Sequence, residues 1–306
     1  MIGRYLLLQE LPTWNKSVLD RWVKRAFESA DETRPVVAHS GVVPHLPQLT
    51  GTDSHLHFGW YYGDLRDLSG FAATVPSMVR FVGEFGARSI PLNAEFMEPH
   101  RWPQLDWTGL GVRHGLELAQ FEQHVPPGPY ATLEEWGIAT QRYQAEMLRD
   151  QIETLRRLKY RPTGGFCLMM FNDSAPAVSW SVLDHERQPK LAHQAMIDAC
   201  RPVIVVADRM PDVVRSGEAL AVDVHVVSDL HHSLDQVMCT ATLRWPGGHH
   251  LWKWQGDVPP DECVRIGIVR FVCPEVEGEL WLDLTIEHGD EVASNRYTSV
   301  IHALAG

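Results

Sequence analysis

VPSMVRFVGEFGARSIP, residues 75–91, contains an apolar run from Met78 to Phe85 that reads as a strand and brings a carboxylate, Glu84, to its C-terminal end. A short continuous apolar run bounded by turn residues is the pattern of a strand covered on both faces, as in parallel sheets. A carboxylate there costs desolvation energy unless it is paired or used. In parallel α/β folds the C-terminal strand ends carry the ligand site. Gly83 and Gly86 remove side chains beside Glu84 and leave room for a ligand. The structural alternative is an ion pair with Arg80 or Arg88.

Working outward, the same texture recurs. RPVVAHSGVVP (34–44) offers a short strand up to His39, GTDSHLHFGWYYGD (51–64) a strand that runs into an aromatic loop, and FCLMMF (166–171) a buried strand. Helical patterns lie between them. One starts near Asn15 or Ser17, carries Val18, Trp22, Ala26 and Phe27, and stops near Asp31. The strongest spans Thr132 to Lys159, with Trp136, Ala139, Tyr143, Met147, Ile152 and Leu155 close to one face and Thr132/Glu135 as a capping box. A last one runs from Lys190 to Ala199. PHRWP and PPGP mark turns in a long polar connection before the strongest helix. Single strands separated by helices predict a parallel α/β domain over residues 1–200.

At Cys200-Arg201-Pro202 the texture changes. Alternating segments follow at Ala219–Val227, Val237–Trp245, Leu251–Trp254, Val264–Val272, Leu280–Glu287 and Arg296–His302, separated by turn signals. Together with the run from Val203 they predict an Ig-like β-sandwich over residues 201–306. The fold class is therefore α/β followed by all-β.

Composition removes several functions. The 306 residues carry 27 Lys and Arg against 39 Asp and Glu, a net charge of −12, and no basic run offsets it. Binding to a phosphate backbone rests on clustered positive charge, so nucleic acid is not an expected partner. No apolar stretch approaches the roughly 20 residues a membrane span needs. Five widely spaced Cys residues form no CxxC or zinc pattern, and the N-terminal stretch lacks a signal-cleavage site, so the expected location is cytoplasmic. Neither common glycine-rich phosphate loop is present, and no cofactor is expected.

Around Glu84, Asp53, His55 and His57 form D-x-H-x-H, whose alternate residues share one face of a strand. Two imidazoles and a carboxylate suit Zn²⁺ or Fe²⁺, but no second cluster of this kind lies near another strand end, so the reading adopted is an ordinary polar strand end and no metal is expected. Trp60, Tyr61 and Tyr62 follow that strand, and Trp180 follows Phe166–Phe171. A carboxylate ringed by such platforms is the layout of a sugar pocket; the same aromatics also suit packing under loops.

These segments resemble glycoside hydrolase family two, in its β-mannosidase branch. RFVGEFGARSIP is similar to the family's nucleophile segment, with Gly83 and Arg88 where the family has Ser and Gln. In GTDSHLHFGWYYGD, His55 and Trp60 match and His57 replaces an aromatic. In GGFCLMMFNDSAPAVSWSVLD, Asn172, Asp173, Pro176, Trp180 and Ser181 match, and Met169 replaces a sugar-stacking Trp. The resemblance implies that Val36–His39, Ser54–Phe58, Met78–Phe85 and Phe166–Phe171 are strands five to eight of a (β/α)₈ barrel. It implies a retaining glycosidase acting on a β-mannoside or related glycoside. Glu84 is then the nucleophile, and Asp53, His55, Trp60, Tyr61, Asn172 and Trp180 are the substrate-binding set. The family's acid/base Glu follows an Asn; this chain has no Asn-Glu dipeptide, and Glu10 is the nearby carboxylate. The expectation is a C-terminal portion of a larger enzyme, with the rest of the barrel as its partner and little activity alone. The competing readings are a non-catalytic carbohydrate-binding or scaffold protein and a metal-dependent hydrolase using Asp53, His55 and His57.

Overall fold

The computed structural model describes residues 18–34, 36–37, 53–288 and 291–302. It is mixed α/β followed by β-rich. Two compact units divide it: one holds the described residues up to Gln151 with Tyr160–Gln194, the other Ile152–Lys159 with the described residues from Ala195 onward.

In the first unit, β1 (Ser54–His55), β2 (Phe81–Glu84) and β3 (Gly165–Phe166) form a parallel sheet with β2 in the centre. His55 is opposite Glu84, and Val82 is opposite Phe166. All three strands are shorter than their sequence patterns predict. Pro76 opens a 3₁₀ turn, Pro76–Val79, so Met78 and Val79 leave the strand; Pro at a first helical position loses no hydrogen bond. Beyond β1, Leu56 N still donates to Glu84 O at 2.8 Å, and the Tyr62 hydroxyl accepts from His57 N at 2.9 Å and donates to His55 O at 3.3 Å. The expected strand at Val36–His39 falls largely outside the described residues; Val36 and Val37 are not in a strand. The first helix spans Asp20–Ala30, with Trp22 59% and Phe27 62% exposed rather than buried. Its proposed caps, Asn15 and Ser17, lie outside the described residues, as does Glu10.

The connection read as polar and long is in fact helical. Besides the α-helix Asp67–Thr74 ahead of β2, Trp107–His114 and Leu118–His124 are α-helices within this connection, and Leu110, Leu116, Phe121 and Val125 join Trp60, Trp136 and Trp180 in one core. Asp106 caps the helix Trp107–His114 by accepting from Gly109 N at 2.9 Å.

The long helix spans Leu133–Arg157. Glu135 N donates to Thr132 Oγ1 at 3.2 Å, and the Glu135 carboxylate accepts from Ala131 N at 2.9 Å. Trp136 and Met147 are buried as their spacing predicts, and so is a polar stripe: Thr140, Gln141, Gln144 and Gln151. Gln144 Nε2 donates to Ala87 O at 2.9 Å and Trp180 O at 3.0 Å, while its Oε1 accepts from Ser89 Oγ at 2.7 Å. Gln141 Nε2 donates to Ile90 O, Thr140 Oγ1 accepts from Ile90 N, and Gln151 Nε2 donates to Phe58 O. These side chains satisfy loop backbone that the short strands leave unpaired. Replacing Gln144 by the similar-sized Met strands three buried groups. Unsatisfied buried groups cost about 1–3 kcal/mol each, so a loss of about 3 kcal/mol or more is expected in urea unfolding. A shift under about 1 kcal/mol, the low end for even one such group, would show the stripe to be dispensable.

In the second unit, β5 (Val213–Arg215), β11 (Glu291–His302), β10 (Gly278–His288), β7 (Leu234–Trp245) and β8 (Gly248–Val258) form one sheet in that order; β4 (Val203–Ala207), β6 (Ala219–Ser228) and β9 (Cys263–Val272) form another. Leu280, Leu282, Leu284 and Ile286 are buried at period two, the alternation that drives a strand onto a core from one face. Trp245, Trp252 and Trp254 pack against that core. No described helix is long and apolar enough to cross a membrane.

Candidate active site

Glu84 ends β2, and its carbonyl accepts from Leu56 N at 2.8 Å, which fixes it against the strand that carries the histidines. Its side chain is 30% exposed. His55 Nδ1 lies 3.3 Å from Glu84 Oε2, and His57 Nε2 lies 3.8 Å from the same oxygen. Asp53 Oδ1 is 3.9 Å from His55 Nε2. The D-x-H-x-H segment thus brings both imidazoles to one carboxylate oxygen, Oε2. Of the two arginines, Arg80 and Arg88, offered as a structural partner for Glu84, Arg88 pairs instead with Glu117, at 3.0 Å.

His57 is 8% exposed, with Trp180 4.8 Å and Tyr61 5.3 Å from its ring centre. Burial, with the nearby His55 adding to it, pushes its imidazole down to about 4. Its Nδ1 is buried without a hydrogen-bond partner among the described residues. Both facts agree with a neutral ring whose proton sits on Nε2, toward Glu84, and whose bare lone pair sits on Nδ1. The stability consequence has a definite sign. Between about pH 6.5 and about 4 the unfolded chain takes up a proton that folded His57 does not, so stability is full above that window and falls as the pH falls through it. At ~1.4 kcal/mol per pH unit the loss across it is about 3 kcal/mol. Urea unfolding at about pH 7.5 and about pH 4.5, either side of most of that window, measures it, and His57→Gln should remove that part of the pH dependence. Identical pH profiles for the two chains would sink the assignment.

The predicted aromatic ring is assembled, but not as platforms. Trp60 is fully buried: His124 stacks on it at 5.8 Å, Phe121 and Trp180 meet it edge-on, and its Nε1 donates to Glu117 at 3.0 Å. An indole with no exposed face cannot stack on a sugar, so the substrate-binding expectation for Trp60 is corrected to a core role. Trp180 is 5% exposed and backs His57 and Tyr61. Tyr61 keeps 46% of its surface exposed. Asn172 is exposed, bridges to Leu183 and donates to Asp173 O at 3.2 Å; no hydrogen bond joins it to the Glu84 cluster among the described residues. Asp173 beside it is buried and accepts from Ser179 Oγ and Ser181 Oγ at 2.7 and 2.6 Å. Among the described residues no group of three His, Cys, Asp or Glu side chains is arranged to hold a metal ion. Asp53 and His57 approach His55 and Glu84 respectively, not a common centre.

Sequence reasoning missed Glu117, which meets Trp60, Tyr61 and Arg88. It also missed the Tyr62 hydroxyl that shapes the strand end. Leu118 and Phe121 follow Glu117 three residues apart, a signal for the helix but not for where the carboxylate goes.

No protein-family model matches the sequence, and no curated protein matches it. Solved structures do. A β-D-mannosidase from Dictyoglomus thermophilum superposes with a TM-score of 0.59 at 19% identity, over 79% of this chain and 29% of that one. The exo-chitosanase CsxA of Amycolatopsis orientalis superposes with a TM-score of 0.56 at 16% identity, over 70% of this chain and 27% of that one. Its D469A form, in complex with PNP-β-D-glucosamine, gives 0.57 at 17% identity, over 71% and 27%. At these identities the likeness is one of fold, and this chain spans less than a third of each of those proteins.

Proposed function

We propose that this chain carries the nucleophile of a retaining β-glycosidase of glycoside hydrolase family two, with a β-mannoside or a related β-glycoside as substrate. The observation that carries the reading is Glu84: a part-exposed carboxylate at the C-terminal end of the central parallel strand, with two imidazoles on one of its oxygens. The fold likeness to a mannosidase and an exo-chitosanase supports it.

In this reading His55 and His57 hold Oε2, and the other oxygen attacks the anomeric carbon. The C1–O bond breaks as the leaving oxygen takes a proton from a second carboxylate about 5–5.5 Å away, and water then releases the glycosyl-enzyme with retention. Asp53 orients His55. Tyr61 offers its exposed ring to the apolar face of the sugar, Trp180 supports that ring from behind, and Asn172 contacts the substrate from the neighbouring loop. In this reading residues 1–200 are the C-terminal part of a (β/α)₈ barrel, with Ser54–His55, Phe81–Glu84 and Gly165–Phe166 as its strands six to eight, and residues 201–306 are an Ig-like domain. The acid carboxylate comes from further polypeptide that completes the barrel.

The test is covalent trapping. The 306-residue chain is incubated with a 2-deoxy-2-fluoro-β-mannosyl fluoride, whose fluoride leaves without a proton donor. Peptide mass spectrometry should find the sugar on the peptide that contains Glu84. Sugar binding seen by Trp fluorescence without any adduct would favour a non-catalytic carbohydrate binder.

A further inference from the structure

Glu117 holds the N-cap position of helix Leu118–His124, yet its side chain makes no capping bond. Cap side chains are ordinarily short and accept from their own helix. Here the carboxylate turns to donors far away in sequence. Its Oε2 accepts from Trp60 Nε1 at 3.0 Å; its Oε1 accepts from the Tyr61 hydroxyl at 2.9 Å and faces Arg88 Nη2 at 3.0 Å. Arg88 is committed to the same cluster. Its Nη1 donates to Gly115 O at 2.5 Å, and its guanidinium lies 5.5 Å from the centre of the Trp180 ring. Gly115 has φ +71°, and a Cβ there would come within 2.7 Å of Arg88 Nη1, so the turn before Glu117 is shaped around this guanidinium.

Within this cluster Trp60 and Trp180 are covered and Tyr61 keeps an exposed ring. That ring meets His57 edge-on, and His57 Nε2 is 3.8 Å from Glu84. A phenol pinned at its hydroxyl has lost the freedom to swing about its side-chain torsions, so its ring stands as a fixed wall.

We infer that Glu117, with Arg88 as its counter-charge, is a positioning residue of the Glu84 site: it pins Tyr61 as the wall beside His57 and Glu84 on which a sugar ring rests. The kinetic consequence rests on the reading of Glu84 as a glycosidase nucleophile; the placement of Tyr61 does not.

The experiment uses the 306-residue chain as Glu117→Gln, Tyr61→Phe and the double variant, each checked for native urea unfolding. The first readout is trapping by 2-deoxy-2-fluoro-β-mannosyl fluoride. Tyr61 touches the sugar and not the reacting atoms. Glu117→Gln should therefore raise KI about 10-fold and leave the maximal trapping rate within about twofold. In the Tyr61→Phe background the same substitution should change KI less than about twofold, because the hydroxyl it acts on is gone. Equal effects in the two backgrounds, or a fall in the maximal rate with KI unchanged, would overturn the proposal. The second readout needs no sugar. The His57 Cε1–H NMR signal, assigned with His57→Gln, lies beside the Tyr61 ring and should move in Glu117→Gln; an unmoved signal overturns the proposal. If Glu117→Gln does not fold, Tyr61→Phe alone decides, since it must reproduce both the rise in KI and the displaced signal. A parent chain that is never trapped removes the nucleophile reading, and the NMR result still decides on Glu117.

Discussion

The Glu84→Gln chain should form no adduct with the fluorosugar, a loss on the order of 10⁴-fold or more in trapping rate, the scale on which deleting a nucleophile acts. Gln has the shape of Glu and keeps an acceptor oxygen for the two imidazoles. What it lacks is the charge that attacks the anomeric carbon. Stability should hardly change. The side chain is 30% exposed, and its contact with His55 is at 3.3 Å; part-exposed ionic contacts contribute about 1 kcal/mol or less. The pairing of a large chemical loss with an unchanged urea midpoint is what separates a nucleophile from a structural carboxylate. A Glu84→Gln chain that is trapped as fast as the parent would remove Glu84 from the chemistry.

The second large effect is selective for the leaving group. Protonation of the departing oxygen contributes about 10²–10⁴-fold. Fluoride and dinitrophenolate depart without that help, while an alkoxide does not. The chain should therefore be trapped by the fluorosugar and turn over a dinitrophenyl β-mannoside, yet hydrolyse methyl β-mannoside slower by at least about 10²–10⁴-fold beyond the intrinsic difference between the two glycosides in water. Adding the polypeptide that completes the barrel should restore the methyl glycoside selectively. Methyl β-mannoside turned over at a rate close to the activated one would mean that an acid carboxylate already resides in this chain.

Much of this was legible in the residues. An apolar run with Glu84 near its end located the central parallel strand, because a short apolar run bounded by turn residues is a strand pattern. Period-two alternation located the long strands of the second unit, and the Thr132/Glu135 box located the start of the long helix. The segment between residues 92 and 131 was not legible. Its helices of seven and eight residues are too short to form on their own and are held by packing around Phe121 and Trp136. Trp60 was misread because its direction is set after the strand ends, where alternation no longer applies. Glu117 was invisible for a related reason: its hydrogen-bond partners Tyr61 and Trp60 lie 56 and 57 residues away, and nothing local announces them.

The buried stripe of Thr140, Gln141, Gln144 and Gln151 has a consequence for how the site opens. Loop backbone at Phe58, Ala87, Ile90 and Trp180 closes its hydrogen bonds on one helix rather than on neighbouring strands. The loops after β1 and β2 and the loop that carries Trp180 therefore cannot fray one at a time. Releasing any of them strands amide groups on the helix, so they open together with it or stay shut. The precision of the carboxylate's surroundings is inherited from the cooperativity of a helix that never touches the reacting atoms.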